Sequence, residues 1–122
     1  MNNDATADKW KVAENPFVER ADVLFLYLTD RFKFFQIALE TLYRDIPYGD
    51  SLYRFIAEKE NAKYSTVASS FQTLPIRAKQ FEPSLYASIA GTTSFITPLA
   101  FLRKSAYWLK ASQRPLPFSS KT

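Results

Sequence analysis

Twenty consecutive residues, Pro83 to Leu102, carry no charge, and the run ends at Arg103 and Lys104. Every acidic residue lies before it, the last being Glu82. Beyond it stand Arg103, Lys104, Lys110, Arg114 and Lys121 with no acid. Twenty residues of helix measure about 30 Å, the hydrocarbon thickness of a bilayer. A purely basic flank is what orients such a segment in a membrane. The run therefore either enters or borders a bilayer, or forms a buried helix of a small helical domain.

Its energetics are balanced. Leu85, Ile89, Phe95, Ile96, Leu99, Phe101 and Leu102 contribute about −3 kcal/mol on the insertion scale. Six hydroxyl side chains, Gly91, Pro83 and Pro98 oppose them, so the sum is near zero and insertion needs other protein helices alongside. Ser84, Ser88, Gly91 and Thr92 fall at steps of three and four, a row of small residues along which a neighbouring backbone can approach closely. Tyr107 and Trp108 fall where an interfacial aromatic belt would lie. Arg103, Lys104 and Lys110 would reach anionic phospholipid headgroups.

The absences narrow the chemistry. With no His and no Cys the chain has no imidazole acid–base group, thiol nucleophile, disulfide or thiolate–imidazole zinc site. It has two glycines, Gly49 and Gly91, and they form no phosphate-binding loop. No cofactor or metal is expected. Asp22 with Asp30, and Glu58 with Glu60, are paired carboxylates that read as solvated helix faces. Tyr107 and Lys110 have the Tyr-x-x-Lys spacing, which differs from the Tyr-x-x-x-Lys of a reductase. The expectation is a protein that is not an enzyme.

Charge is uneven along the chain. Up to Glu82 there are eleven basic and twelve acidic residues; the last forty hold five basic and none acidic. A nucleic-acid binder gathers its cations on one face of a folded domain, whereas these flank an apolar stretch. An anionic lipid surface or the acidic groove of a partner fits better, and nucleic acid is not an expected partner.

Eleven Phe, seven Tyr and two Trp with few glycines predict an all-α fold of three long helices with extended tails. Residues 1–14 form a polar arm, without the features of a secretory signal or a transit peptide. Asn15-Pro16 opens a helix over about 16–46, with a stripe through Phe17, Leu24, Leu28, Phe32, Phe35, Leu39 and Leu42 that Pro47 stops. Asp50 or Ser51 caps a second helix over about 50–74. The third runs over 84–112, kinked at Pro98 and a candidate to cross the bilayer. Residues 113–122 are a proline-rich tail. The helical domain is thus 15–112.

These features lead to one expected function and one rival. The first is a non-catalytic accessory subunit of a large membrane-embedded complex, its tails lying along neighbouring subunits. In general form, short and without catalytic residues, the chain is similar to the supernumerary subunits of mitochondrial respiratory complexes or ATP synthase. That similarity implies the mitochondrial inner membrane, other protein subunits and anionic phospholipid as surroundings. The rival is a soluble all-α ligand-binding or dimerisation module of a regulator, with Phe32, Phe34 and Phe35 walling a cavity.

Overall fold

A computed structural model of the chain describes residues 20–117. The polar arm, the Asn15-Pro16 start signal and the last five residues of the tail lie outside that range. Among the described residues the chain is all-helical, in seven segments: α1 (Arg20–Arg31), α2 (Phe35–Tyr43), α3 (Leu52–Lys59), α4 (Tyr64–Ser70), α5 (Leu74–Phe81), α6 (Pro83–Ala90) and α7 (Pro98–Ala111). The all-α expectation stands, but the three long helices do not.

Each long helix breaks for a local reason. The expected 16–46 helix is interrupted at Phe32-Lys33-Phe34. Residues two apart lie on opposite sides of a continuous helix, yet Phe32 and Phe34 are both buried. The break lets both rings turn inward. The chain then leaves α2 through Asp45, whose backbone is left-handed at φ 54°. Asp45 N–H donates to the Leu42 carbonyl and Ile46 N–H to that of Thr41, a Schellman ending reached before Pro47. The expected 50–74 helix divides in the same way at Asn61 (φ 54°), where Ala62 N–H returns to the Ala57 carbonyl at 2.8 Å.

The third expected helix, 84–112, is two. Gly91 closes α6 in the left-handed region at φ 76°, and Thr97 opens α7, its hydroxyl accepting from Ala100 N–H at 3.2 Å. Pro98 is the first residue of α7 and does not kink a longer helix. With its missing N–H and preset φ, proline suits that first turn, and Pro75 and Pro83 likewise sit in the first turns of α5 and α6. Among the described residues no helix is long and apolar enough to cross a membrane. The membrane-spanning reading of 84–112 is thereby overturned.

The core is one cluster. α2 and α7 pack together, and their C-terminal ends meet where the Tyr43 hydroxyl donates to the Arg114 carbonyl at 2.6 Å. α1 lies against α5 through Tyr27 stacked on Phe81 at 4.1 Å, and Arg20 pairs with Glu82. Leu24, Phe25, Leu28, Phe35, Leu39, Phe71, Phe101, Leu102 and Leu109 are fully buried. The loop between α6 and α7 is tied to this core by Tyr86. Its ring stacks on Phe101, its hydroxyl donates to the Ser94 carbonyl at 2.7 Å, and it accepts from Ile96 N–H at 3.2 Å. Leu116 is buried in the same cluster, so the start of the expected loose tail is fastened to the domain.

Candidate functional site

The capped start of α7 sets its phase, and that phase sorts its residues. Phe101, Leu102, Ser105, Ala106 and Leu109 face the core; Arg103, Lys104, Tyr107 and Lys110 face out. Residues at i, i+3, i+4 and i+7 share one helix face, so the three cations and Tyr107 form a single outward stripe. Tyr107 is 73% exposed, the most exposed large hydrophobic side chain described. Lys110 pairs with Asp45 at 2.8 Å, and Arg103 donates to the Tyr48 hydroxyl at a long 3.5 Å. Lys104 stands exposed beside them.

Trp108 differs from its neighbour. It is half-buried, tilted against Phe25 at 6.5 Å, and covered by the Arg114 guanidinium 5.3 Å from its ring. Of the two expected interfacial aromatics, only Tyr107 points away from the protein. The expected small-residue row is also redistributed. Ser84 and Ser88 lie exposed on α6, whereas Gly91 is its C-cap and Thr92 belongs to the loop, its hydroxyl accepting from Ser94 N–H. The four do not share one helix.

Phe32, Phe34 and Phe35 are members of the core cluster, with Phe25 and Phe35 stacked at 6.2 Å. Phe32 alone of the three borders an open cleft, of about 600 Å³, beside Asp30, Arg31 and Arg77. Asp22 and Asp30 each have interaction partners, and Glu58 and Glu60 are exposed at the end of α3. Among the described residues no cluster of three or more carboxylates, His or Cys could hold a metal.

A second cleft escaped the sequence reading. It measures about 430 Å³ between α3, α4 and the first turns of α7, and Asp50, Tyr53, Arg54, Tyr64 and Arg103 line it. Tyr53 is fixed on one side by stacking on Phe71 at 5.6 Å and tilts against Tyr64 at 6.1 Å. Burial pushes the Tyr53 hydroxyl above its ordinary pKa, nearby Tyr64 pushes it the same way, and the Arg103 charge pulls it back. Two phenols in ring contact and a guanidinium thus share one cleft lining. The sequence signal was weak: Tyr53 and Tyr64 stand on successive helices, but Arg103 lies far along the chain, and only the fold brings it to them.

No protein-family model, curated protein or solved structure matches the chain.

Proposed function

We propose that the protein is a non-catalytic accessory subunit of a larger assembly, resting on an anionic phospholipid surface through the outer stripe of α7. The observation that carries this reading is Tyr107, 73% exposed, amid Arg103, Lys104 and Lys110. An exposed aromatic ringed by cations suits the headgroup zone, where the ring enters the interface and the cations meet phosphate. The mode is lying on the membrane, not crossing it. The mitochondrial inner membrane is the proposed address.

Magnitudes favour a subunit over a free membrane binder. Each basic residue near an anionic surface contributes roughly 1 kcal/mol, and Asp45 offsets part of what Lys110 adds. About 3 kcal/mol is a little over a hundredfold enrichment at the surface, too little for stable residence alone. Partner subunits supply the remainder.

The test has two arms. The purified chain is floated in dilute buffer with a large excess of phosphatidylglycerol or phosphatidylcholine vesicles, so that weak adsorption registers, and the endogenous protein is extracted in mild detergent and sized. Flotation with the anionic vesicles alone, lost in R103E/K104E, supports the reading, as does migration far above the 14.1 kDa chain. A free monomer indifferent to vesicle charge refutes it.

A further inference from the structure

The cleft beside α7 holds opposite charges apart. Asp50 precedes the first turn of α3, whose N-cap Ser51 accepts from Arg54 N–H at 3.2 Å. Arg54 and Arg103 line the same space. The ion pairs found among the described residues are Arg20–Glu82 and Lys110–Asp45; Asp50 joins neither guanidinium. The rings of Tyr53 and Tyr64 line the same cleft. Tyr53 is anchored by Phe71, and Tyr64, tilted against Tyr53, is half-exposed.

A ligand complementary to this lining carries both signs. A simple anion would satisfy the two guanidinium groups but meet the Asp50 carboxylate, and a simple cation would meet Arg54 and Arg103. A phosphate joined by a short chain to an ammonium places each charge against its opposite, with the ammonium beside a carboxylate and a tyrosine face. A space of 430 Å³ is within the usual range for a small-molecule site.

We propose that this cleft binds a phosphate ester of an amino alcohol, of the phosphoethanolamine type. Arg54 and Arg103 hold the phosphate, while Asp50 and Tyr64 hold the ammonium. The same chemistry occurs as a free metabolite and as a phospholipid headgroup. The site goes beyond the membrane reading and shares only Arg103 with it.

The full chain is titrated with O-phosphoethanolamine and, separately, with inorganic phosphate, by calorimetry and by amide chemical shifts. Saturable binding that moves Ser51, Tyr53 and Tyr64 is expected. Arg54→Gln weakens both ligands tenfold or more. Asp50→Asn has opposite effects: it weakens phosphoethanolamine severalfold and strengthens inorganic phosphate. Both residues are exposed, and matching thermal melts confirm that the variants fold. Absence of saturable binding overturns the proposal, and so does an Asp50→Asn variant that treats the two ligands alike.

Competition by phosphatidylethanolamine vesicles identifies a headgroup as occupant; failure to compete identifies the free ester, and either supports the shared chemistry. Lys104→Glu probes the membrane stripe without touching the cleft, and Arg54→Gln does the reverse, so the two readings fail separately.

Discussion

Replacing Tyr86 by Phe removes one oxygen and leaves nearly everything else in place. The ring is fully buried, stacked on Phe101 at 5.7 Å and set edge-on to Phe95 at 6.5 Å; Phe keeps these contacts. What disappears is a donor to the Ser94 carbonyl at 2.7 Å and an acceptor for Ile96 N–H at 3.2 Å. Each such bond contributes about 1 kcal/mol net. Ser94 is exposed enough for water to take the place of the lost donor, whereas Ile96 is half-buried. The expected loss is therefore about 2 kcal/mol, or ~8 °C in melting temperature for a domain near 100 residues.

Thermal melts followed by circular dichroism give the shift in melting temperature, and native-state hydrogen exchange at the Ile96 amide reports the opening of the loop. Exchange there should accelerate more than at Leu102, deep in α7, because the 91–97 loop is released before the helix opens. Tyr86→Ala should cost more, about 3–5 kcal/mol, since it also empties the ring's place in the core. If Tyr86→Phe melts like the parent and Ile96 stays equally protected, the hydroxyl does not hold the loop and the reasoning is refuted.

Three further perturbations test other parts of the fold. Ser105 is fully buried and its hydroxyl has no hydrogen-bond partner among the described residues; Ser105→Ala should stabilise by about 1 kcal/mol in urea titrations, and a loss would mean the hydroxyl is partnered in solution. Gln113 sits at φ 57° in the Schellman ending of α7; glycine accepts that backbone without the side-chain penalty, so Gln113→Gly should gain about 0.5 kcal/mol net of unfolded-state entropy. Burial raises the pKa of Tyr53 above its ordinary 10.0. The unfolded chain thus releases that proton first, and stability is intact below pH 10 but falls as pH rises from 10 through the folded value. Tyr53→Phe should flatten part of that alkaline slope, and an unchanged slope would place the loss on other tyrosines.

The all-α class was legible because large apolar residues recur at helical spacing and turn residues are few. Val23 to Leu28 is apolar without interruption, and four of its six residues are buried. Helix ends were harder to read. Three of them use Asp45, Asn61 and Gln113 in the left-handed conformation where glycine is usual, so the sequence carries no obvious stop. The Phe32–Phe34 break has no breaker at all and follows from which rings the finished core can accept. Pro98 reads from the sequence as a kink, yet it lies in a first turn, as Pro75 does. Proline punctuates without saying on which side of it the helix lies, and the caps decide: Thr97 before Pro98 was the available clue. The stripe of Arg103, Lys104 and Lys110 was visible as a charge asymmetry, whereas the cleft required Arg103, from far along the chain, to meet Tyr53 and Tyr64.

The structure also changes what kind of membrane contact α7 can make. Ile89, Phe101 and Leu102, which gave the sequence much of its membrane character, are buried against the rest of the protein. Turned inward, they contribute folding energy and have nothing left to offer a bilayer. The outer stripe retains three cations and one tyrosine, so any attraction is mainly Coulombic and must follow the screening length. That length shrinks from about 10 Å at 0.1 M salt to about 3 Å at 1 M. Flotation with phosphatidylglycerol vesicles should therefore be strongest in dilute buffer and absent at the higher salt, and Tyr107→Ala should weaken it less than R103E/K104E. Binding that survives 1 M salt would require more apolar insertion than the single ring of Tyr107 supplies, and would show that another part of the chain makes the contact.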